Sequence, residues 1–208
     1  MGKEQLINKV KTRIDEVSAS GDAIVDVGVE NTKPYDSIIW ELLDESAMEV
    51  LLKAPFYRLP VADGKSAANA TKDSSDNKIG KLNLPEKFVR LVSLKMQSWL
   101  QPVTAFALPG DEVATKQSNK YIRGGVAKPV AVLYKNSTKP YAHYYSVATE
   151  NDHKVEELLY IEKKTALEME GTEMENAMCW ICAGKTLGVL GEKGLADLCY
   201  ENAKGLMV

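Results

Sequence analysis

The sequence predicts an α+β protein in which helices from both ends of the chain form a bundle and a β-rich, antiparallel domain is inserted between them. Three observations predict it. Near the start, Leu6, Val10, Ile14 and Val17 recur at intervals of three or four, the period of a helix with one buried face. In the middle, short runs of β-branched and aromatic residues are separated by turn-forming ones. Near the end, Thr172 followed by Glu175 has the spacing of a capping box and opens a second helical region.

Residues 3–17 read as the first amphipathic helix, closed by Ser18-Ala19-Ser20-Gly21. Its Lys9, Lys11 and Arg13 stand beside Asp15 and Glu16, the pattern of a solvated, mixed-charge face. Val25-Asp26-Val27-Gly28-Val29 alternates, which fits either a short strand or an extended lead into the next helix. Pro34 suits the first turn of that helix. It runs through Ile38, Ile39, Leu42, Leu43, Ala47, Val50 and Leu51 and stops before Pro55.

At Phe56 the character changes, so 1–55 and 166–208 are assigned to the bundle and 56–165 to the insertion. Ala62 to Lys81 is rich in Ser, Ala, Asn, Asp, Lys and Gly, which predicts a long loop or hairpin tip that stays mobile until a partner orders it. After Pro85, Val92, Leu94 and Met96 alternate with Ser93, Lys95 and Gln97, as in a half-buried strand. Val130–Tyr134, Tyr141–Val147 and Leu158–Glu162 are further strands, the first two joined as a hairpin through Lys135–Lys139. The helix that follows Thr172 runs to about Leu190, where Gly191 closes it. Met174, Met178, Trp180, Ile181, Leu187 and Leu190 lie nearly all round it, so it belongs at the centre of the packing. A last helix, from about Lys193, carries Leu195, Leu198, Cys199, Asn202 and Leu206 on one face. No internal repeat is present.

The chain has 208 residues, enough to bury about 70% of the surface its unfolded form exposes. Its net charge of -3 removes the broad basic field on which non-specific nucleic-acid binding relies. No run approaches the ~18 apolar residues of a membrane helix, so no membrane association is expected. The first residues hold no apolar signal core, and Leu6 stands where a myristoylation signal has Ser or Thr. Three cysteines form an odd, small set that suits a reducing compartment, so cytosolic synthesis is expected.

The motifs with chemical content weigh toward structural readings. Cys179-Trp180-Ile181-Cys182 is a Cys-x-x-Cys, but the capping box sets Cys179 about two turns inside a helix, away from the dipole that would acidify it. Core packing explains both thiols. Gly184-Lys185-Thr186 resembles the tail of a phosphate loop, yet the position five residues earlier is Cys179 rather than glycine. His143 alternates with Tyr141 and Tyr145 on a strand face, and neither it nor His153 has a nucleophile in a glycine-rich turn beside it. Glu168, Glu170, Glu173 and Glu175 complement the dipole of the helix they precede. No catalytic, cofactor or metal residues are expected.

One segment concentrates basic, polar and aromatic groups in an expected loop: Lys116 to Gly125. Tyr and Arg supply much of the energy at protein interfaces. Gln117, Asn119, Tyr121 and Arg123, with Phe56, Tyr57 and Arg58, are therefore the candidate protein-contact residues. Alanine at Tyr121 and Arg123 is expected to weaken assembly and leave the thermal melt unchanged.

Three stretches together carry a resemblance. They are Leu84–Met96 with Trp99 and Pro102-Val103; Gln117–Gly124 leading to Lys128–Val132; and Ala177–Gly191 with Ala196 and Asn202-Ala203-Lys204. As a set they resemble the head-to-tail adaptor proteins of short-tailed phages, above all those of crAss-like phages, whose ring relatives are called connectors or tail tubular proteins. The resemblance covers roughly three quarters of the chain. It implies a virion structural protein at the head-tail junction, assembled in the host cytoplasm as a homo-oligomeric ring of about twelve copies. Its partners would be further copies of itself, the portal protein and the next tail protein, with genomic DNA passing through the channel without sequence-specific binding. Two departures stand out. The 62–81 segment looks like a local elaboration, and with Val208 soon after the last helix the long portal-gripping arm of some adaptors is not expected. A Cys179/Cys182 dithiol oxidoreductase and a small intracellular protein-binding module are the alternatives.

Overall fold

The structure is a computed structural model that describes residues 2–20, 35–135 and 139–208. The alternating 23–29 segment and Pro34 lie outside the described residues. The chain is an α+β fold of two compact units, Met1–Leu59 with Lys163–Val208 and, inserted in the sequence, Pro60–Glu162. Residues 56–59 thus belong to the helical unit rather than to the insertion.

In the helical unit, α1 (Lys3–Ser20), α2 (Tyr35–Lys53), α5 (Glu175–Val189) and α6 (Lys193–Leu206) pack together, with the short α4 (Ala166–Met169) beside α2. The periodic residues of α1 are those it buries: Leu6, Val10, Ile14 and Val17, joined by Ile7. α2 does the same with Ile39, Leu43, Ala47, Val50 and Leu51. α5 touches α1, α2 and α6 and buries ten of its residues, as a helix apolar nearly all round must. Gly184 permits the close approach of α6: a Cβ there would lie 3.2 Å from the Ala196 carbonyl and from the Tyr200 ring.

Three local readings are corrected here. The capping box opens α4, where Thr165 and Glu168 satisfy each other's amides. Thr172 instead donates to the Met169 carbonyl at 2.6 Å, and Glu175 accepts from the Gly171 amide at 2.7 Å. The basic residues of α1 reach beyond a solvated face: Lys9 pairs with Glu175, Lys11 with Asp36 at 2.5 Å, and Arg13 lies over the Trp180 ring. Burial raises the Glu175 carboxyl, but Lys9 and the Gly171 amide outweigh it and hold the group below its ordinary range. On α6 the buried stripe is Leu195, Ala196, Cys199 and Ala203, while Leu198 faces outward.

The β-rich unit holds two antiparallel sheets among its described residues. One orders β1 (Val61–Asp63), β7 (Val155–Glu162) and β4 (Phe88–Met96); the other orders β2 (Asn69–Lys72), β3 (Gly80–Asn83), β6 (Pro140–Tyr144) and β5 (Ala131–Lys135). Both contribute to one core, with Leu82, Ala131, Ala142 and Tyr144 from the second sheet meeting Leu91, Leu94, Met96, Leu158 and Tyr160 from the first. A short helix, α3 (Glu112–Gln117), lies in the β4–β5 connection.

Of the two readings of the 62–81 segment, a long loop or a hairpin tip, the structure takes the hairpin. The segment contains β2 and runs into β3, paired in register from Asn69↔Asn83 to Lys72↔Gly80. Its polar residues are turn formers: Asp73 accepts the Ser75 amide at 2.7 Å and Asp76 the Lys78 amide at 2.9 Å. Gly80 is required, since a Cβ would sit 2.1 Å from the Tyr144 hydroxyl. β4 also departs from strict alternation. Register shifts at Phe88/Arg90, Leu91/Ser93 and Lys95/Met96 leave Val92 half-buried and bury Ser93 together with Leu94.

Candidate functional site

The structure splits the Lys116–Gly125 segment into an anchor and a tip. Gln117 is the last residue of α3, 3% exposed, and its Nε2 donates to the Val113 carbonyl at 2.9 Å. It is a buried helix residue, which corrects its reading as part of a contact loop. Asn119 folds the next turn: its side chain accepts the Tyr121 amide at 3.0 Å, and its carbonyl accepts the Arg123 amide at 3.0 Å. That turn projects Tyr121, 84% exposed, and Ile122, 59% exposed.

Arg123 points the other way. Its side chain is 8% exposed and pairs with Asp76 at 2.8 Å. The Lys78 amide holds the Asp76 carboxyl below its usual range, and Arg123 adds to this. The descending chain is fixed just beyond, where the Ser146 hydroxyl donates to the Gly124 carbonyl. A Cβ at Gly124 would lie 2.1 Å from the Lys128 carbonyl, so only glycine fits. Ser146 itself adopts φ +67, an unusual conformation for a residue other than glycine. Removing Arg123 should therefore disturb the fold, so an unchanged melt is now expected for Tyr121→Ala alone.

A second tyrosine–arginine turn lies in the helical unit. Phe56–Arg58 is a single 3-10 turn in which Tyr57 is 77% and Phe56 39% exposed. Arg58 donates to the Leu206 carbonyl at 2.6 Å and approaches Glu173 at 3.7 Å. A cation at the last carbonyls of α6 offsets their partial negative charge. As at Arg123, the guanidinium secures the turn and the tyrosine is left to project.

Sequence reading missed the anchors Asp76 and Lys78, which sit in the segment read as an elaboration; nothing in the one-dimensional pattern pairs them with Arg123. It also passed over Leu100, Leu108 and Val113, each more than half exposed in the β4–β5 connection that carries Tyr121. Their signal is isolation: single apolar residues among polar ones, without a period.

The other motifs have packing roles. Cys179, Cys182 and Cys199 are buried free thiols, and burial pushes them to about 11, 12 and 11. Reactive thiols occupy the opposite environment, accessible and electropositive. Cys179 lies one turn into α5, closer to its start than expected, yet remains 1% exposed. Lys185 bridges Glu45 at 2.8 Å and Glu49 at 3.1 Å, and Thr186 donates to the Cys182 carbonyl at 2.8 Å. His143 lies between Tyr134 and Tyr141, at ring distances of 4.9 and 5.6 Å, and burial lowers its pKa. His153 donates from Nε2 to the Asn77 carbonyl at 2.8 Å, so its Nδ1 accepts the Tyr144 hydroxyl at 2.6 Å. Among the described residues no group of three or more His, Cys, Asp or Glu is placed to hold a metal, and no helix is long and apolar enough to cross a membrane.

No protein-family model matches the chain, and no curated protein matches it significantly.

Proposed function

We propose that this chain is a structural virion protein, a subunit of the head-to-tail connector ring that joins portal to tail and lines the channel through which DNA leaves. The observation that carries the reading is the Tyr121–Ile122 tip, apolar and exposed on a turn held by a partly buried ion pair and a required glycine. Ordering a loop in advance lowers the entropy lost on association, so such a tip suits a contact surface. Ring closure above two copies needs two different surfaces on each subunit. The Phe56–Tyr57 turn offers a second exposed aromatic set with its own anchor. The net charge of -3 also suits a channel that DNA traverses without being gripped.

Mass photometry of the purified chain, alone and mixed with a candidate portal, tests this. A closed oligomer, or a monomer that joins portal in about twelve copies, is expected. A monomer or dimer indifferent to portal would refute the ring.

A further inference from the structure

Charge is unevenly spread along the chain. Carboxylates outnumber cations 29 to 26 overall, yet residues 113–149 contain six cations and no Asp or Glu. The same stretch holds five of the nine tyrosines and one of the two histidines. Such a segregation has a function only where folding gathers it on one surface.

The sheet β2-β3-β6-β5 gathers part of it. One face enters the core through Leu82, Ala142 and Tyr144. On the other, the register sets Tyr134 opposite Tyr141 and Lys81 opposite His143. These four side chains are half-buried. The three ring centroids lie 4.9, 5.5 and 5.6 Å apart, and the Lys81 Nζ stands 4.1 Å over Tyr141. Lys135 and Lys139, both exposed, flank the end of the Tyr134–Tyr141 pair. Asn69, Thr71 and Asn83 share the solvent side, so no strand residue on it is a carboxylate. Asp73 acts on His143 from beyond the end of β2, and it is bonded to the Ser75 amide and hydroxyl. Among the described residues no carboxylate pairs with Lys81, Lys135 or Lys139. Ring pairing by itself serves the sheet, but it does not account for cations without acids in an acidic chain.

We propose that this face is a contact surface for the phosphate backbone of double-stranded DNA, with Lys81, Lys135 and Lys139 meeting phosphates while the Tyr141 hydroxyl and His143 add hydrogen bonds. Lysine and tyrosine are common donors to phosphate oxygens, and such contacts carry no sequence information. The rings favour a duplex over a single strand. Tyr141 is engaged by Tyr134 and Lys81, and Tyr134 by His143 as well, so the rings are spent on one another rather than open to an unpaired base. Three lysines neutralise about three phosphates, which gives weak binding that fades with salt and lets a duplex slide. That the duplex is the genome in transit rests on the connector reading; phosphate binding by the isolated chain needs no ring.

The test is an NMR titration of the whole chain with a mixed-sequence duplex of about 12 base pairs at ~20 mM salt. The His143 ring signals, identified by their loss in His143→Gln, should move saturably. Those of His153, tied to Tyr144 on the core side, should stay. The logarithm of affinity should fall with the logarithm of salt at a slope of about −2 to −3. Lys135→Ala/Lys139→Ala should weaken binding at least about tenfold. Lys163→Ala/Lys193→Ala, which removes two exposed lysines of the helical unit, should change it less than about twofold. A silent His143 at ~1 mM duplex would overturn the proposal, as would equal weakening by the two double variants. Tighter binding of the single strand would overturn it by marking a base-stacking surface, and an equal response to polyglutamate by marking a site for acidic protein. A chain that binds duplex but forms no ring keeps this inference and loses the connector reading; a ring with a silent His143 does the reverse.

Discussion

The two tyrosine–arginine turns use one device at different depths. In each, an arginine turns inward to secure the backbone and a neighbouring tyrosine is left exposed, Tyr57 at 77% and Tyr121 at 84%. Arg58 ties down the end of a helix through a neutral carbonyl, and its acidic neighbour Glu173 is 63% exposed and 3.7 Å away. Arg123 meets Asp76 at 2.8 Å with only 8% of its side chain exposed. Coulomb attraction is worth more where water is excluded, and losing one partner there strands the other. The β-rich turn is therefore the more firmly set of the two.

The sharpest way to break this contrast is Arg123→Ala. It should lower stability by about 2 kcal/mol, since Asp76 loses its cation while still partly buried; urea unfolding measures it. Arg58→Ala should cost about 1 kcal/mol, through the lost bond to the Leu206 carbonyl. Equal losses would show that depth does not distinguish the turns.

Acid should sharpen the same contrast. The folded Asp76 carboxyl titrates below its unfolded value, so its contribution is fully present above the ordinary aspartate range of about 3.9. That contribution is lost as pH falls through the lower folded value. Asp76→Asn should therefore be less stable than wild type at neutral pH and converge with it in acid. Parallel curves for the two proteins would contradict the pairing.

The smallest effects on stability are expected at the tips. Tyr121→Ala and Tyr57→Ala should each change the unfolding free energy by less than about 0.5 kcal/mol, because neither ring is buried. Any effect on association should then be a surface effect, readable in complexes at equal folded concentration.

How much of this could be read from sequence depended on whether the deciding contacts were local. α1 and α5 were legible because burial on a helix follows a period that the residues spell out. β4 was legible as a strand but not in its facing, because bulges shift which residues point inward and leave no mark on composition. The capping box failed by position. Both Thr165/Glu168 and Thr172/Glu175 have the required spacing, and packing decides which one opens a helix. The 62–81 segment was left open between loop and hairpin because Asp, Asn, Ser and Gly serve both; the cross-strand partner β6, far along the chain, selects the hairpin. At the site, Tyr121 was found because an exposed aromatic in a polar stretch is unusual. Gln117 and Arg123 were grouped with it because polarity was taken for exposure, and nothing local announces that Asp76 draws Arg123 inward.

The most direct test of the claim that anchor and tip are separate is mass photometry of wild type, Tyr121→Ala and Arg123→Lys, each folded and mixed with a candidate portal. The account predicts ring or portal-bound species for wild type, their loss for Tyr121→Ala at an unchanged melt, and partial retention for Arg123→Lys at a lowered melt. Full assembly by Tyr121→Ala would contradict it.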